Sequence, residues 1–583
     1  MTPGRLLWAP LLGAIGCVPP AESEDGCHRA SVRFSTTRFH GENRAGAYEG
    51  GGFLHAGAIA ERGMQMRWAS APFHTLEIDG VIYPPLVYAS PLFVAEQQIA
   101  TDEFEGTTDV VYTATTNGWV YAIGTDDCED PGRVLWRSRV SNAVPIDTLD
   151  QGVPLGVLST PIIDDDLGKL YVSAYDGRAG WQLHALSLRD GTEAAGWPVT
   201  IDDAGLAPVN TNGPATFHHP STMSQRGALA MSPDGSRVYV PFGTYWGSGT
   251  GWLVGIDTAA ASISSAFSSA PSTRMESSGG IWGSAGPHVD AEGRVWATTG
   301  NSPPGTGDAP GVWGNSLIQL DSELRLERAY SPFNYCALDD HNMDLGASQP
   351  HRLAPVPDSS TPNLIAFGGK QGVVYLLDVD AIPNAGLGRG PCSTDAAADR
   401  SLHSPSPQPQ FDSRGPLSVF GPYSDEFGEI DHAKMRTKLA EWSDEQDNRF
   451  LFASGTAKES RGSTTSVAPS IAKLRIALAD DGQAVLEHAA RNEQVFMQNP
   501  GSPIVTGAGD DASVWVLDRN APRSAPLLDT RTPHPRLYAF AASDLRLLWS
   551  GDTAGPSGKY ASPIGVGDTL VVGTDRIEAW SLD

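Results

Sequence analysis

Apolar and polar residues alternate in short blocks along most of this chain. The block from Ser159 to Trp197 shows the unit most clearly: STPIIDDDLGKLYVSAYDGRAGWQLHALSLRDGTEAAGW. Three apolar runs, Thr160–Ile163, Lys169–Ala174 and Gln182–Leu188, are each followed by a turn rich in Asp and Gly, and Trp197 closes the unit. Short runs bounded by such turns predict strands. The unit recurs at roughly 40–50 residues, the spacing of one four-stranded blade of a β-propeller. A lone blade cannot bury both faces of its sheet, whereas blades stacked around an axis bury them against each other.

Eight units can be traced. The first starts at Tyr88 and runs through Val110–Thr115, the Asn117-Gly118 turn, Trp119–Ile123 and Val134–Val140. Asn-Gly tolerates the positive φ that a tight hairpin requires. The Ser159–Trp197 block is the second. The third spans about Gly227 to Phe267, the fourth Gly280 to Tyr330 with a Gly/Pro insertion at Asn301–Gly314, and the fifth Leu345 to Asp380. Residues 384–448, rich in Pro, Ser and Asp, break the rhythm and are expected to be an insertion capping one end of the ring, with a short helix at Asp431–Trp442. Long insertions between blade strands are where binding surfaces are commonly built. The sixth unit starts at Arg449–Gly455, the seventh covers Pro503 to Ser550, and the eighth Ala561 to Leu582.

The eighth unit has only three strands, whereas Met64–Ala69 (MQMRWA) is a strand without a hairpin partner. Joining the two in one sheet closes the ring and removes its free edges. The expected fold is therefore all-β: an eight-bladed propeller of four-stranded antiparallel blades over 64–583, closed by an N-terminal strand. Seven blades is the alternative, if one weak unit is a strap.

The beginning of the chain changes the picture of where it works. One Arg precedes the apolar run Leu6–Ile15, which is a signal peptide and too short to span a bilayer. Its end, Ala14-Ile15-Gly16-Cys17, resembles the bacterial lipobox, with Ala14 where Leu is usual. That resemblance implies cleavage after residue 16 and lipidation of Cys17. Residues 18–63 then read as tether and strap. The expected location is the bacterial cell envelope, reached through the lipid anchor only, with secretion as the alternative.

Export permits disulfides. With Cys17 lipidated, Cys27, Cys128, Cys336 and Cys392 remain of the 5 cysteines, and they allow three pairings. We expect Cys27–Cys128 and Cys336–Cys392. No pair has CxxC spacing, which argues against zinc and thioredoxin-type redox sites. The net charge of −28 opposes contact with a nucleic-acid backbone and suits a soluble, self-repelling surface.

Three unit endings point to a family: Tyr121-Ala-Ile…Gly132…Trp136, His184-Ala-Leu-Ser-Leu-Arg-Asp-Gly-Thr-Glu…Trp197 and Tyr538-Ala-Phe-Ala-Ala-Ser-Asp…Trp549. They resemble the tryptophan-docking repeat of quinoprotein alcohol dehydrogenases and their PQQ-like relatives. The resemblance implies that the Trp packs between neighbouring blades. Gly279–Gly286, Val295–Asn301, Asp344–Gly346 and Gly368–Asp378 look closer still to a group of exported bacterial propellers with PQQ-like repeats and without an assigned activity.

A quinoprotein dehydrogenase holds PQQ and calcium at the ring centre, with an Asp base and a disulfide between adjacent Cys residues. This chain has no adjacent Cys pair. The best metal-like string is Asp340-His-Asn-Met-Asp-Leu-Gly346, in which Asp340, Asn342 and Asp344 offer oxygens at alternate positions as a calcium loop does. Gly346 is one place late for an EF-hand, and His351 stands where the bidentate carboxylate belongs. The competing reading is a solvated turn capped by its own Asp and Asn oxygens.

The runs Asp164–Asp166 and Asp510-Asp511 read as hairpin turns, and His218-His219 as a surface loop. No G-x-S-x-G elbow supports a hydrolase. Lys370 lacks the Ser/Thr and helix of a phosphate loop.

The expectation is a monomeric, non-catalytic binding or scaffolding propeller without a cofactor, whose partner is a protein or glycan of the envelope. The alternative is a PQQ- and calcium-dependent oxidoreductase.

Overall fold

The computed structural model describes residues 34–583 apart from 43, 49–53, 126–129, 146–152, 218–221, 245–248, 272–278, 304, 308, 390–391, 393–416, 421–434, 456–469, 493 and 522–532. Cys17, Cys27, Cys128, His218 and His219 lie outside the described residues. The chain is an eight-bladed propeller. Blade one is Leu92–Ala100, Glu105–Ala114, Trp119–Gly124 and Val134–Arg139, paired antiparallel in that order. Blade two, in the Ser159–Trp197 block and just beyond it, is Ile162–Asp164, Lys169–Asp176, Gly180–Ser187 and Val199–Ile201.

Ring closure takes place where the sequence pattern placed it. Met64–Ala69 is the outer strand of blade eight, antiparallel to Ile577–Leu582, with Met64 opposite Leu582 and Trp68 opposite Ala579. A bulge between Met66 and Trp68 bends the strand. Ser70 extends the join: its N–H donates to the Ile577 carbonyl at 2.9 Å, and its Oγ accepts from the Ile577 N–H at 3.1 Å.

The hydrophobic cores lie between blades. One cluster joins Val110, Tyr112 and Trp136 of blade one to Leu170, Val172 and Leu186 of blade two. Another joins Trp515 and Leu537 of blade seven to Leu570 and Trp580 of blade eight and Val111 of blade one. Trp136 shows how the blades dock. Its indole N–H donates to the carbonyl of Leu188 in blade two at 2.9 Å, and its ring lies against Gly191. Gly191 turns with φ +71°, and a Cβ there would stand 2.5 Å from Trp136 Cε3. Only glycine fits that position without strain.

Within the interval 384–448, of which 390–391, 393–416 and 421–434 lie outside the described residues, two strands join the blades. Ser418–Phe420 pairs with Val374–Asp378 as the outer strand of blade five. Where a helix was expected at Asp431–Trp442, Ala440–Ser443 is a strand, the innermost of blade six, paired with Arg449–Ser454. The reason is burial with period two: Ala440 and Trp442 face the core, and Glu441 and Ser443 face away. The strap has structure of its own. Ala47–Tyr48 runs parallel to Ile504–Thr506, and Ala56–Arg62 forms a short helix that His55 caps through its ring nitrogen.

Candidate functional site at the ring axis

The inner strands of blades four and five begin with His288–Val289 and His351–Arg352. The chain segments leading into them meet through glycine backbone. Gly300 N donates to Gly280 O at 2.8 Å, and Gly283 N donates to Gly346 O at 2.9 Å. A Cβ on Gly346 would lie 2.6 Å from both Gly280 O and Gly300 N, so the close approach requires glycine there.

This packing places the half-buried indole of Trp282 among polar groups from several blades. The Lys370 ammonium and the Arg226 guanidinium carbon each lie 5.2 Å from its ring centroid. Arg226 also lies 5.9 Å from the ring of Tyr560, which leads into blade eight on the far side of the ring. Lys370 and Arg226 are buried, and cation–π contacts of this kind gain strength when water is excluded. Tyr560 has φ +64°, a left-handed conformation that costs a bulky residue about 1–2 kcal/mol.

A hydrogen-bond network supports the platform. Lys370 forms an ion pair with Asp344 and donates to Asn342 Oδ1 at 3.1 Å. Asp344 Oδ1 accepts the Asn301 N–H at 2.8 Å, and Asn301 Nδ2 donates to Asn342 Oδ1 at 3.0 Å. Asn315 Nδ2 donates to Asn301 Oδ1 at 3.0 Å and to Asp339 Oδ1 at 2.8 Å. Asp339 also accepts from Ser302 N at 2.7 Å. Burial raises the Asp339 carboxyl to about 7, against the opposing effect of those hydrogen bonds and of Arg389. Arg389 lies 4.5 Å over the ring of Tyr335, next to the disulfide Cys336–Cys392.

Of the three residues expected to offer metal oxygens, two belong to this network. Asn342 and Asp344 surround Lys370, while Asp340 is exposed at the end of the helix Tyr335–Asp340. No cluster of three His, Cys, Asp or Glu side chains able to hold a metal occurs among the described residues. Both oxygens of Asp344 are engaged, one by Lys370 and one by Asn301. A calcium ion takes six to eight oxygen ligands. This donor set does not fit it. Lys370 and Arg226 instead place basic groups over the Trp282 ring. Sequence reasoning did not assign Trp282, Arg226, Asn301, Asn315 or Asp339. The one available signal was the density of glycine around Trp282 and Asn301.

The chain matches no family model, and no curated protein matches it. Solved structures share its fold. The quinohemoprotein alcohol dehydrogenase of Comamonas testosteroni aligns with a TM-score of 0.54 at 16% identity, over 94% of this chain and 80% of that one. The quinohemoprotein alcohol dehydrogenase ADHIIG of Pseudomonas putida HK5 gives 0.53 at 14%, over 93% and 81%. A europium-containing methanol dehydrogenase gives 0.50 at 13%, over 89% and 87%. The architecture is thus that of the quinoprotein alcohol dehydrogenases. At these identities the likeness extends to fold alone, and function has to be argued from the site.

Proposed function

We propose that this chain is an exported binding propeller, anchored at the bacterial cell envelope through lipidated Cys17, whose axial site takes a ring-shaped ligand carrying carboxylates. An acidic glycan of the envelope has that chemistry. The observation that carries the reading is the partly exposed indole of Trp282 with Lys370 and Arg226 each 5.2 Å from its centroid. A sugar ring stacks on the indole face, and the two cations meet its carboxylates. The network of Asn301, Asn315, Asp339 and Asp344 orients Lys370 rather than reacting. The resulting module binds and does not turn over its ligand.

A second reading has support from the same indole and cations, together with the dehydrogenase fold: a planar quinone carboxylate such as PQQ in the same place, with redox chemistry supplied by that group when bound. Trp282, Lys370 and Arg226 would hold it. Calorimetric titration with oligogalacturonate, and separately with PQQ with and without calcium, decides between the two. The binding reading expects saturable oligogalacturonate binding that Trp282→Ala abolishes, and no alcohol-dependent dye reduction under any condition. Calcium-dependent quinone absorbance with dye-linked alcohol oxidation, and no uronate binding, would replace it with the second reading.

A further inference from the structure

We propose that the propeller axis holds a buried binding site for one small doubly charged oxyanion of the sulfate or phosphate type, separate from the Trp282 platform. Four segments converge on it. The strap contributes His40 and Arg44, the inner strands of blades four and five contribute His288 and His351, and the approach to blade six contributes Lys438.

Backbone and ring contacts fix the convergence. Arg44 donates through Nη1 to Pro287 O and through Nη2 to Ala285 O, the residues just before His288. The His288 and His351 rings are 6.3 Å apart, edge to face. Gly46 lies between the His40 ring and Ala440: a Cβ there would be 3.0 Å from His40 Nδ1 and 3.1 Å from Ala440 Cβ. Glu441 N donates to Ala45 O at 2.8 Å, which ties the strap to the Lys438 segment. All five basic side chains are buried.

The donors outnumber their acceptors. Among the described residues, Lys438 Nζ, Arg44 Nε, both ring nitrogens of His40, His288 Nδ1 and His351 Nδ1 have no hydrogen-bond partner. Glu441 is the one carboxylate bonded to the group among the described residues, and it is taken by His351 Nε2 at 2.9 Å and by Arg449. Glu42, in the strap itself, turns back to the Thr37 N–H and to Arg38. Lys438 and Arg44 are thus two buried basic groups to which no carboxylate is bonded among the described residues. A lone buried ammonium is among the least favourable arrangements in a folded chain.

The electrostatics agree with the geometry. Burial, then Lys438 and other neighbouring cations, hold His40, His288 and His351 well below the ordinary imidazole range. Burial and then Arg44 lower Lys438 in the same sense. Besides burial, Lys438 and Arg44 act on all three histidines, Arg352 also acts on His288, and Arg449 also acts on His351, all in the same direction. A dianion balances Lys438 and Arg44, and its several oxygens accept from converging N–H groups, as oxyanions do. His40 and Arg44 both stand in left-handed backbone, at φ 64° and 57°.

The test uses the whole exported chain, exhaustively desalted into Bis-Tris acetate. The protein is then acid-denatured and the released ions are measured by ion chromatography. The same preparation is melted with added sulfate or phosphate at constant ionic strength. The expected result is release of sulfate or phosphate in about equimolar amount, or a saturable rise of the melting midpoint with either ion, as a ligand confined to the native state produces. Lys438→Met abolishes both. Lys438→Gln keeps a donor but removes the charge, and serves if the methionine variant does not accumulate. Release of chloride or a divalent metal alone, no ion and no midpoint shift, or an undiminished effect in the Lys438 variants would overturn the proposal. Trp282→Ala leaves the ion content unchanged, so failure of the glycan reading is distinguishable.

Discussion

Replacing Gly191 with alanine tests the docking of blade one on blade two. The new Cβ meets Trp136 Cε3 at 2.5 Å and Ser138 Oγ at 2.6 Å, from a backbone with φ +71°. The left-handed conformation costs an L-residue roughly 1–2 kcal/mol. Forcing one methyl into a packed interface adds typically about 1–3 kcal/mol. Gly168, in the first turn of the same blade, is the control: its φ is +60°, and nothing lies within 4 Å of a Cβ there. Gly168→Ala carries the conformational cost of about 1–2 kcal/mol without the clash. Both variants lose similar unfolded-chain freedom, so that contribution cancels in the comparison. Equilibrium urea unfolding followed by tryptophan fluorescence measures each midpoint. Gly191→Ala should be the less stable by about 1–3 kcal/mol. Equal midpoints would refute the claim that Trp136 is wedged against that turn.

Two further outcomes follow from the site. Burial raises Asp339 to about 7, so the folded state holds its proton over a range where the unfolded chain has lost it. Stability linked to Asp339 is therefore complete below the ordinary carboxylate range and falls as pH rises from about 4 to about 7, by up to about 4 kcal/mol. Asp339→Asn should remove that slope, which urea midpoints at pH 4.5 and 7.5 would show; parallel curves for the two proteins would contradict the burial argument. The Cys336–Cys392 disulfide closes a loop with a sequence separation of 56. The double change to serine should lower stability by at most about 4 kcal/mol on chain entropy, and an unchanged urea midpoint would show the link to be idle.

The fold was legible because each blade repeats a local pattern that burial enforces. Met64–Ala69 and Ile577–Leu582 could be paired on paper, since one end of the chain lacked a strand that the other end offered. Ala440–Ser443 was not legible. Its alternation is four residues long and follows a Pro- and Ser-rich stretch, and helical spacing of Leu439 and Trp442 competed with it. The site was legible only as glycine density. What gives Trp282 meaning is Arg226, Lys370 and Tyr560, which arrive from different blades and share no sequence spacing. The basic cluster on the axis was hidden for the same reason: His40, His288, His351 and Lys438 are single residues on four separate segments, and only closure of the ring brings them together.

A crystal structure of the protein with oligogalacturonate bound tests the central claim most directly. The predicted result is a uronate ring stacked on Trp282, with carboxylate oxygens within hydrogen-bond distance of Lys370 and Arg226. A ligand bound on another face, with the indole bare, would contradict it.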